Sequence, residues 1–382
     1  MGGNIRPYIA IGPGAHIREE MEERSWNEAE FSDILGISEK HLSEILNEKT
    51  PMTITMARLI AKAFGTTPQM WMNLYLNYIE DKSIIEKSSD EDLHNVEIKK
   101  EIYNIMPVND MTKKGWIPKR SGSAELLICL KNIWGTNDIA QILKVIKAKP
   151  LASFRKTEKD GFSRNYTQTW LKIAENISAS IEAPLYKSVM FEKICDSANE
   201  YTIRKDGVGE FLRDIKKAGV KFFVLPHLKK TYIDGAAFMH KKNPVIVYTD
   251  RYDRIDNFWF TIIHESGHII KHLKEKSKHE SFIDDLSHLE GLKEKEADDF
   301  SKEKLKINKI LKRYEESFNN RLSWITTVSN ELHISSAVIV GSLQKAKKLT
   351  YRSTVLSAIK ESVIEKITKD YIPDVTKICK YS

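Results

Sequence analysis

Apolar residues recur at intervals of three and four from Gly14 to about Ile79, with breaks at Gly36 and Gly65, and this period predicts an all-helical first unit over residues 1–80. The period is lost from Asp81 to Asn95, where Lys87-Ser88-Ser89-Asp90-Glu91-Asp92 interrupts it, so residues 81–120 read as a linker or the frayed end of a helix. Helical periods return from Ala124 to Asp214, broken at Pro150, Pro184 and Gly207, and define a helical region over 121–215. The pattern then changes. Val220 to Leu225 and Pro244 to Thr249 are β-branched and aromatic runs, with Ala236 to Met239 before the turn-like Lys242-Asn243-Pro244, and they predict a small sheet. Helix resumes at Asp256 and continues with breaks to the end, through a unit at 216–310 and a basic helical region at 311–382. The class is α+β, helix-dominated.

The 382 residues, 41% of them hydrophobic and 30% charged, suffice for two or three compact units. Cys129, Cys195 and Cys379 stand far apart in sequence, which argues against a disulfide scaffold or a cysteine zinc knuckle and for a reducing, cytoplasmic setting. The longest apolar runs, such as Phe258 to Ile263, fall far short of the ~20 residues that cross a bilayer, and no secretory signal pattern opens the chain. A net charge of +7 suggests nucleic acid, but its distribution qualifies that: residues 1–80 hold seven Lys/Arg against eleven Asp/Glu, and residues 301–382 hold sixteen against eight. The basic excess, spread over helical segments, equally describes a solvated lysine-rich face.

Asn27 to Asn47 has the grammar of a helix-turn-helix. Small Ala29 suits a close helix crossing, Gly36 a left-handed turn position, Ile37 the crease between helices, and Ser38 the cap of a second helix whose Leu42, Ile45 and Leu46 face inward. Ser38, Lys40, Ser43 and Asn47, with Glu39, then face outward, where a recognition helix meets double-stranded DNA. Residues 12–79 resemble the helix-turn-helix domain of the Cro/repressor (XRE) class, with its lambda-repressor-like fold, and specifically the HigA-type antitoxins. Gly14-Ala15-His16-Ile17-Arg18-Glu19-Glu20, Leu42-Ser43-Glu44-Ile45-Leu46-Asn47 and the segment Ala61 to Leu74 carry that resemblance. Asn27-Glu28 stands where that class usually has a phosphate-anchoring glutamine.

His264-Glu265-Ser266-Gly267-His268 follows the apolar run that ends at Ile263. On a helix, histidines four apart are separated by ~6 Å of rise on one face, so both rings can reach one ion. Two histidines, a carboxylate and a water around Zn2+ form a hydrolytic site, with Glu265 as the base. A third ligand is expected from the following helix, where Glu294 and Asp298 lie one turn apart: Glu294 is assigned to the metal and Asp298 to the second nitrogen of His264. Glu296 faces elsewhere, His272 is too far along the row to share the ion, and His279, His288 and Glu290 read as loop residues. Tyr232, Tyr248 and Arg254 are candidates to stabilise an oxyanion.

Ala236 to Leu305 resembles the ImmA/IrrE metallopeptidases, through Gly235-Ala236-Ala237-Phe238, the segment Arg251 to Thr261 leading into His264 to His272, and Glu294 to Phe300. The resemblance implies a gluzincin-type metallopeptidase domain with a small antiparallel sheet, His264, His268 and Glu294 as ligands, Glu265 as base, and repressor proteins as substrates. His333 to Gln344 is similar to the C-terminal segment of larger members that also carry a helix-turn-helix. Two functions follow. One is a homodimeric DNA-binding regulator, antitoxin- or repressor-like, with a zinc-dependent endopeptidase domain that cleaves a regulatory protein. The other is a catalytically inactive HigA-like antitoxin that represses its operon and binds a toxin.

Overall fold

The structure is a computed structural model of the 382-residue chain and describes residues 10–86, 88–148, 161–273, 289–315, 321–351, 361–377 and 379. It divides into two compact units, Met1–Ile98 and Lys99–Ser382.

In the first unit the described residues form α1 (Pro13–Glu23), α2 (Glu28–Leu35), α3 (Glu39–Leu46), α4 (Ile54–Phe64), α5 (Pro68–Glu86) and the start of α6 (Ser88–Ile105). Local chemistry sets the short helices. Asn27 opens α2 with a reciprocal cap: its Oδ1 accepts from the Glu30 amide at 2.8 Å, and Glu30 Oε2 accepts from the Asn27 amide at 2.9 Å. Gly36 ends α2 at φ 69°, a left-handed conformation that glycine adopts without Cβ strain. The chain then turns into α3, whose first turn is capped by Ser38 Oγ accepting from the His41 amide at 3.2 Å. Ile17, Phe31, Leu42, Leu46, Ile60 and Trp71 are buried together, and Ile37 packs half-buried against them. Each such side chain contributes about 1.5–3 kcal/mol by leaving water. Ala29, expected at a helix crossing, is instead exposed: α2 turns Phe31 and Leu35 inward, and Ala29 falls on its outer side. The stretch read as a linker is largely helical, because α5 runs to Glu86, α6 begins at Ser88, and α7 (Val108–Lys113) follows. Lys, Glu and Ser sustain a helix by backbone propensity without the apolar stripe that a periodicity reading needs.

The second unit continues with α8 (Ser123–Trp134), α9 (Ile139–Ala148), α10 (Arg164–Ser180), α11 (Ser188–Asp196), α12 (Ala198–Ile203) and α13 (Gly207–Lys217). Three strands follow: β1 (Lys221–Val224), β2 (Gly235–His240) and β3 (Asn243–Tyr248). Their order is β1-β3-β2. β2 and β3 form an antiparallel hairpin with Gly235 opposite Tyr248, whereas β1 runs parallel to β3 with Lys221 opposite Val245. The sheet is therefore mixed, which corrects the expected antiparallel one. A four-residue strand buried along its whole length reads as apolar in either direction, so pattern alone carries no sign of the partner's sense.

After β3 comes α14 (Ile255–His272), then α15 (Leu289–Lys304), α16 (Ile307–Glu315), α17 (Arg321–Leu332) and α18 (Ser336–Lys345). The apolar side of α14 is pinned by edge-to-face rings, with Phe258 5.2 Å from Trp259 and 5.3 Å from Tyr248 between centroids. Beyond residue 361 the described chain forms short 3-10 turns rather than the expected helix. This segment is part of the same core: Val363 and Ile367 are buried in it, and Asp253 accepts from the amides of Val363 and Ile364 at 2.8 and 2.9 Å. Cys129 and Cys379 are joined by a disulfide across 250 residues of sequence, a pairing against which their wide spacing had argued, and Cys195 stays free and buried. Among the described residues no helix is long and apolar enough to cross a membrane.

Candidate functional site

α14 and α15 cross where Gly267 meets Ala297. A Cβ built on Gly267 would lie 3.2 Å from the Ala297 Cα, so a side chain at this position would press the two helices apart. That approach brings Glu294 over the two histidines. His264 Nε2 and His268 Nε2 lie 3.1 Å apart, and the Glu294 carboxylate places Oε2 3.3 Å from the first and Oε1 3.3 Å from the second. One ligand atom from each of the three residues falls within 4.8 Å of the others. Asp298, one turn beyond Glu294, sets Oδ1 3.0 Å from His264 Nδ1, the opposite nitrogen of that ring.

The electrostatics of the cluster centre on positive charge. Both Glu294 oxygens are buried and make no hydrogen bond, a costly arrangement for a carboxylate unless a cation stands beside it. Burial opposes charge on His264, but the Asp298 and Glu294 carboxylates outweigh it and raise its pKa to about 9. Burial likewise opposes the Glu294 charge, yet the two imidazoles hold its pKa down to about 2. Two imidazole nitrogens and one carboxylate oxygen, converging with an open side, are a donor set suited to zinc.

Glu265, 5% exposed, lines the same cleft of about 440 Å³ as His264, together with Tyr232, Arg254 and Asp298. Of the residues weighed for an oxyanion, Tyr232 and Arg254 are on the cleft wall. Tyr248 is not: it is fully buried in the core and donates its hydroxyl to the Tyr252 carbonyl at 2.9 Å. His272 lies 3.3 Å from the Lys293 carbonyl and 3.5 Å from Glu296, with its ring 5.6 Å from that of His268, and is not one of the three converging residues. His279 and His288 lie outside the described residues, and Glu290 belongs to α15 rather than a loop. Sequence reasoning missed the partner of Arg254. Asp256, fully buried, accepts from Nε at 2.9 Å and from Nη2 at 2.7 Å. An Arg-x-Asp triplet before a helix was its one local signal.

On the first unit, Ser38 and Lys40 are exposed and Ser43 is half-buried on α3. Asn47 lies just beyond the helix as its C-terminal cap, with its amide engaged: Oδ1 accepts from Arg18 at 2.9 Å, and Nδ2 donates to the Ser43 carbonyl at 2.8 Å. Its exposure fits a surface role, but its hydrogen bonds are spent on joining α1 to the end of α3.

Residues 17–71 match the family model described as helix-turn-helix, so this part of the chain is a helix-turn-helix domain. An uncharacterized HTH-type transcriptional regulator of Haemophilus influenzae is 36% identical over 62 residues, which are 16% of this chain and 58% of that protein. The uncharacterized HTH-type transcriptional regulator YddM of Escherichia coli is 34% identical over 62 residues, again 16% of this chain and 66% of that protein. The chain thus spans less than two thirds of either relative. No solved structure matches it.

Proposed function

We propose that the chain is a DNA-binding transcriptional regulator whose second unit is a zinc-dependent endopeptidase of the ImmA/IrrE kind, acting on a regulatory protein. The observation that carries the peptidase reading is the meeting of His264, His268 and Glu294 at a cleft whose wall includes His264 and Glu265. These three residues would hold zinc, which when bound supplies Lewis acidity for a peptide carbonyl. Glu265 accepts the proton of the attacking water and returns it to the leaving amine. Asp298 keeps His264 in the orientation that presents Nε2 to the site. The helix-turn-helix match and the names of the two relatives support the regulatory half, with α3 as the element that enters the major groove.

Metal analysis tests the centre. About one zinc per chain is expected, lost in His264→Ala and in His268→Ala, and an unchanged content in both variants overturns the ligand set. Glu265→Gln should keep the zinc and lose cleavage by about 10²–10⁴-fold. The second reading, an inactive HigA-like antitoxin, rests on the motifs Gly14 to Glu20 and Leu42 to Asn47, and gains if the zinc-loaded wild type cleaves no partner protein. For DNA, Lys40→Glu should weaken binding to a palindromic upstream site with half-sites about 10 bp apart. Indifference of the full chain to that change would place the contact in the basic C-terminal region.

A further inference from the structure

The cleft lined by His264 and Glu265 is also lined by Arg254, Phe260, Lys345 and Tyr351. Arg254 is held more firmly than a surface arginine. Its Nε and Nη2 grip both oxygens of Asp256, which is fully buried. Behind Asp256 passes α18 at Gly341, where a Cβ would come within 2.4 Å of Oδ2, so the carboxylate is locked between two helices. A fork gripped on one edge retains a second pair of parallel N–H donors. Among the described residues nothing accepts from Nη1, and the side chain keeps 30% of its exposure. The Tyr351 ring, with its centroid 6.0 Å from the guanidinium carbon, confines the same group.

The other charges of the cleft decide what this edge would take. Asp234 is matched by Arg251 at 2.8 Å, and Asp298 by His264 at 3.0 Å. Lys345 brings a second cation to the same cleft wall, with Nζ 5.7 Å from the Phe260 ring centroid. The cleft wall therefore carries His264 and Glu265 together with an oriented guanidinium and an ammonium. We propose that Arg254, fixed by Asp256 and assisted by Lys345, forms a subsite for a carboxylate of the peptide that occupies the cleft. That carboxylate is supplied by an acidic side chain or by the peptide's own C-terminus. This inference rests on the peptidase reading for its orientation relative to the metal, but not for its chemistry.

The test measures binding to the zinc-loaded full chain carrying Glu265→Gln, so that hydrolysis does not consume the probe. Fluorescein-labelled alanine octapeptides carry one Glu or one Gln at each successive position, each with a free or an amidated C-terminus. The subsite predicts at least tenfold tighter binding of Glu over Gln at one or two adjacent positions, or of the free over the amidated end, and the pattern names the source of the carboxylate. Adding Arg254→Gln should abolish that discrimination, Arg254→Lys should restore part of it, and Lys345→Met, which leaves the buried pair intact, should reduce it several-fold. Equal binding of Glu and Gln at every position and of both termini overturns the subsite. So does a Glu preference that survives Arg254→Gln in a folded protein but disappears when zinc is removed, since the carboxylate is then on the metal. Hydrolysis of a mixed peptide pool by the unsubstituted chain is read separately by mass spectrometry. Cleavage without carboxylate discrimination sinks the subsite alone, and discrimination without cleavage sinks the peptidase reading alone.

Discussion

Gly267 offers a lever on the proposed metal centre that replaces none of its proposed ligands. Its Cβ position lies 3.2 Å from the Ala297 Cα and 3.2 and 3.3 Å from two carbons of Phe300, whereas relaxed carbon contacts sit at about 3.5–4.0 Å. Gly267→Ala must therefore push α15 back by a few tenths of an ångström, and Gly267→Val by more, because the neighbouring atoms include backbone as well as a side chain. Glu294 is three residues before Ala297 on the same helix and moves with it. Metal ligands tolerate about 0.2 Å of error around their ideal distances, so the displacement is more than the site can absorb. Zinc affinity should fall about tenfold in Gly267→Ala and about 100-fold in Gly267→Val, on the scale seen when the supports of a metal site are altered. The metal-free protein should lose about 1–3 kcal/mol from overpacking alone. Zinc titration against a chromophoric chelator gives the first quantity and thermal melts in a chelator the second. Full zinc affinity in a folded Gly267→Val protein would refute the idea that this crossing places Glu294.

Cys195 is buried and its thiol is pushed up to about 12, mainly by burial, so a thiol reagent should leave the native protein unlabelled. Unfolding without reductant should then expose one thiol, and unfolding after reduction three, as the Cys129–Cys379 bond requires. Burial raises the pKa of Asp250, but hydrogen bonds from the His227 ring and amide outweigh it and leave the carboxyl below its usual value. A depressed carboxylate adds stability above its unfolded pKa of about 3.9 and loses it as pH falls through the folded value, so Asp250→Asn should flatten the acid limb of a urea-midpoint profile below about pH 4. An unchanged limb would remove Asp250 from the acid response.

What could be read along the chain is what a few neighbouring residues decide. The Gly36 turn and the Ser38 cap follow from local backbone chemistry, and the spacing of His264 and His268 places two rings on one face before any partner is considered. The sense of β1 was out of reach because a parallel pairing depends on the excursion from Leu225 to Asp234, which carries no period. α5 and α6 continue through polar residues that lack an apolar stripe, so the helix was hidden rather than contradicted. Tyr248 was drawn toward the cleft by residue type alone, while its position in β3 turns it into the core. The Gly341 to Asp256 approach and the Cys129–Cys379 bond join segments 85 and 250 residues apart, and no local pattern records such pairings.

The charge of the first unit bears on where the proposed DNA affinity arises. Seven Lys/Arg stand against eleven Asp/Glu over residues 1–80, and Glu39 and Glu44 share α3 with Lys40. The N-terminus of α2 could cradle a phosphate, but the Asn27 and Glu30 side chains already take two of its amides, and Glu28 adds a negative charge at the same end. Few counterions would then be released by this unit alone, so its affinity should vary weakly with salt. Sequence discrimination by α3 can coexist with weak binding, because base-edge contacts specify a site while phosphate contacts supply most of the affinity. The free energy missing from one copy has two sources in this chain: a second copy on the other half-site, or the basic residues after 300. Only the second steepens the salt dependence of the full chain relative to a dimer of the first unit, because it adds cations rather than another acidic surface.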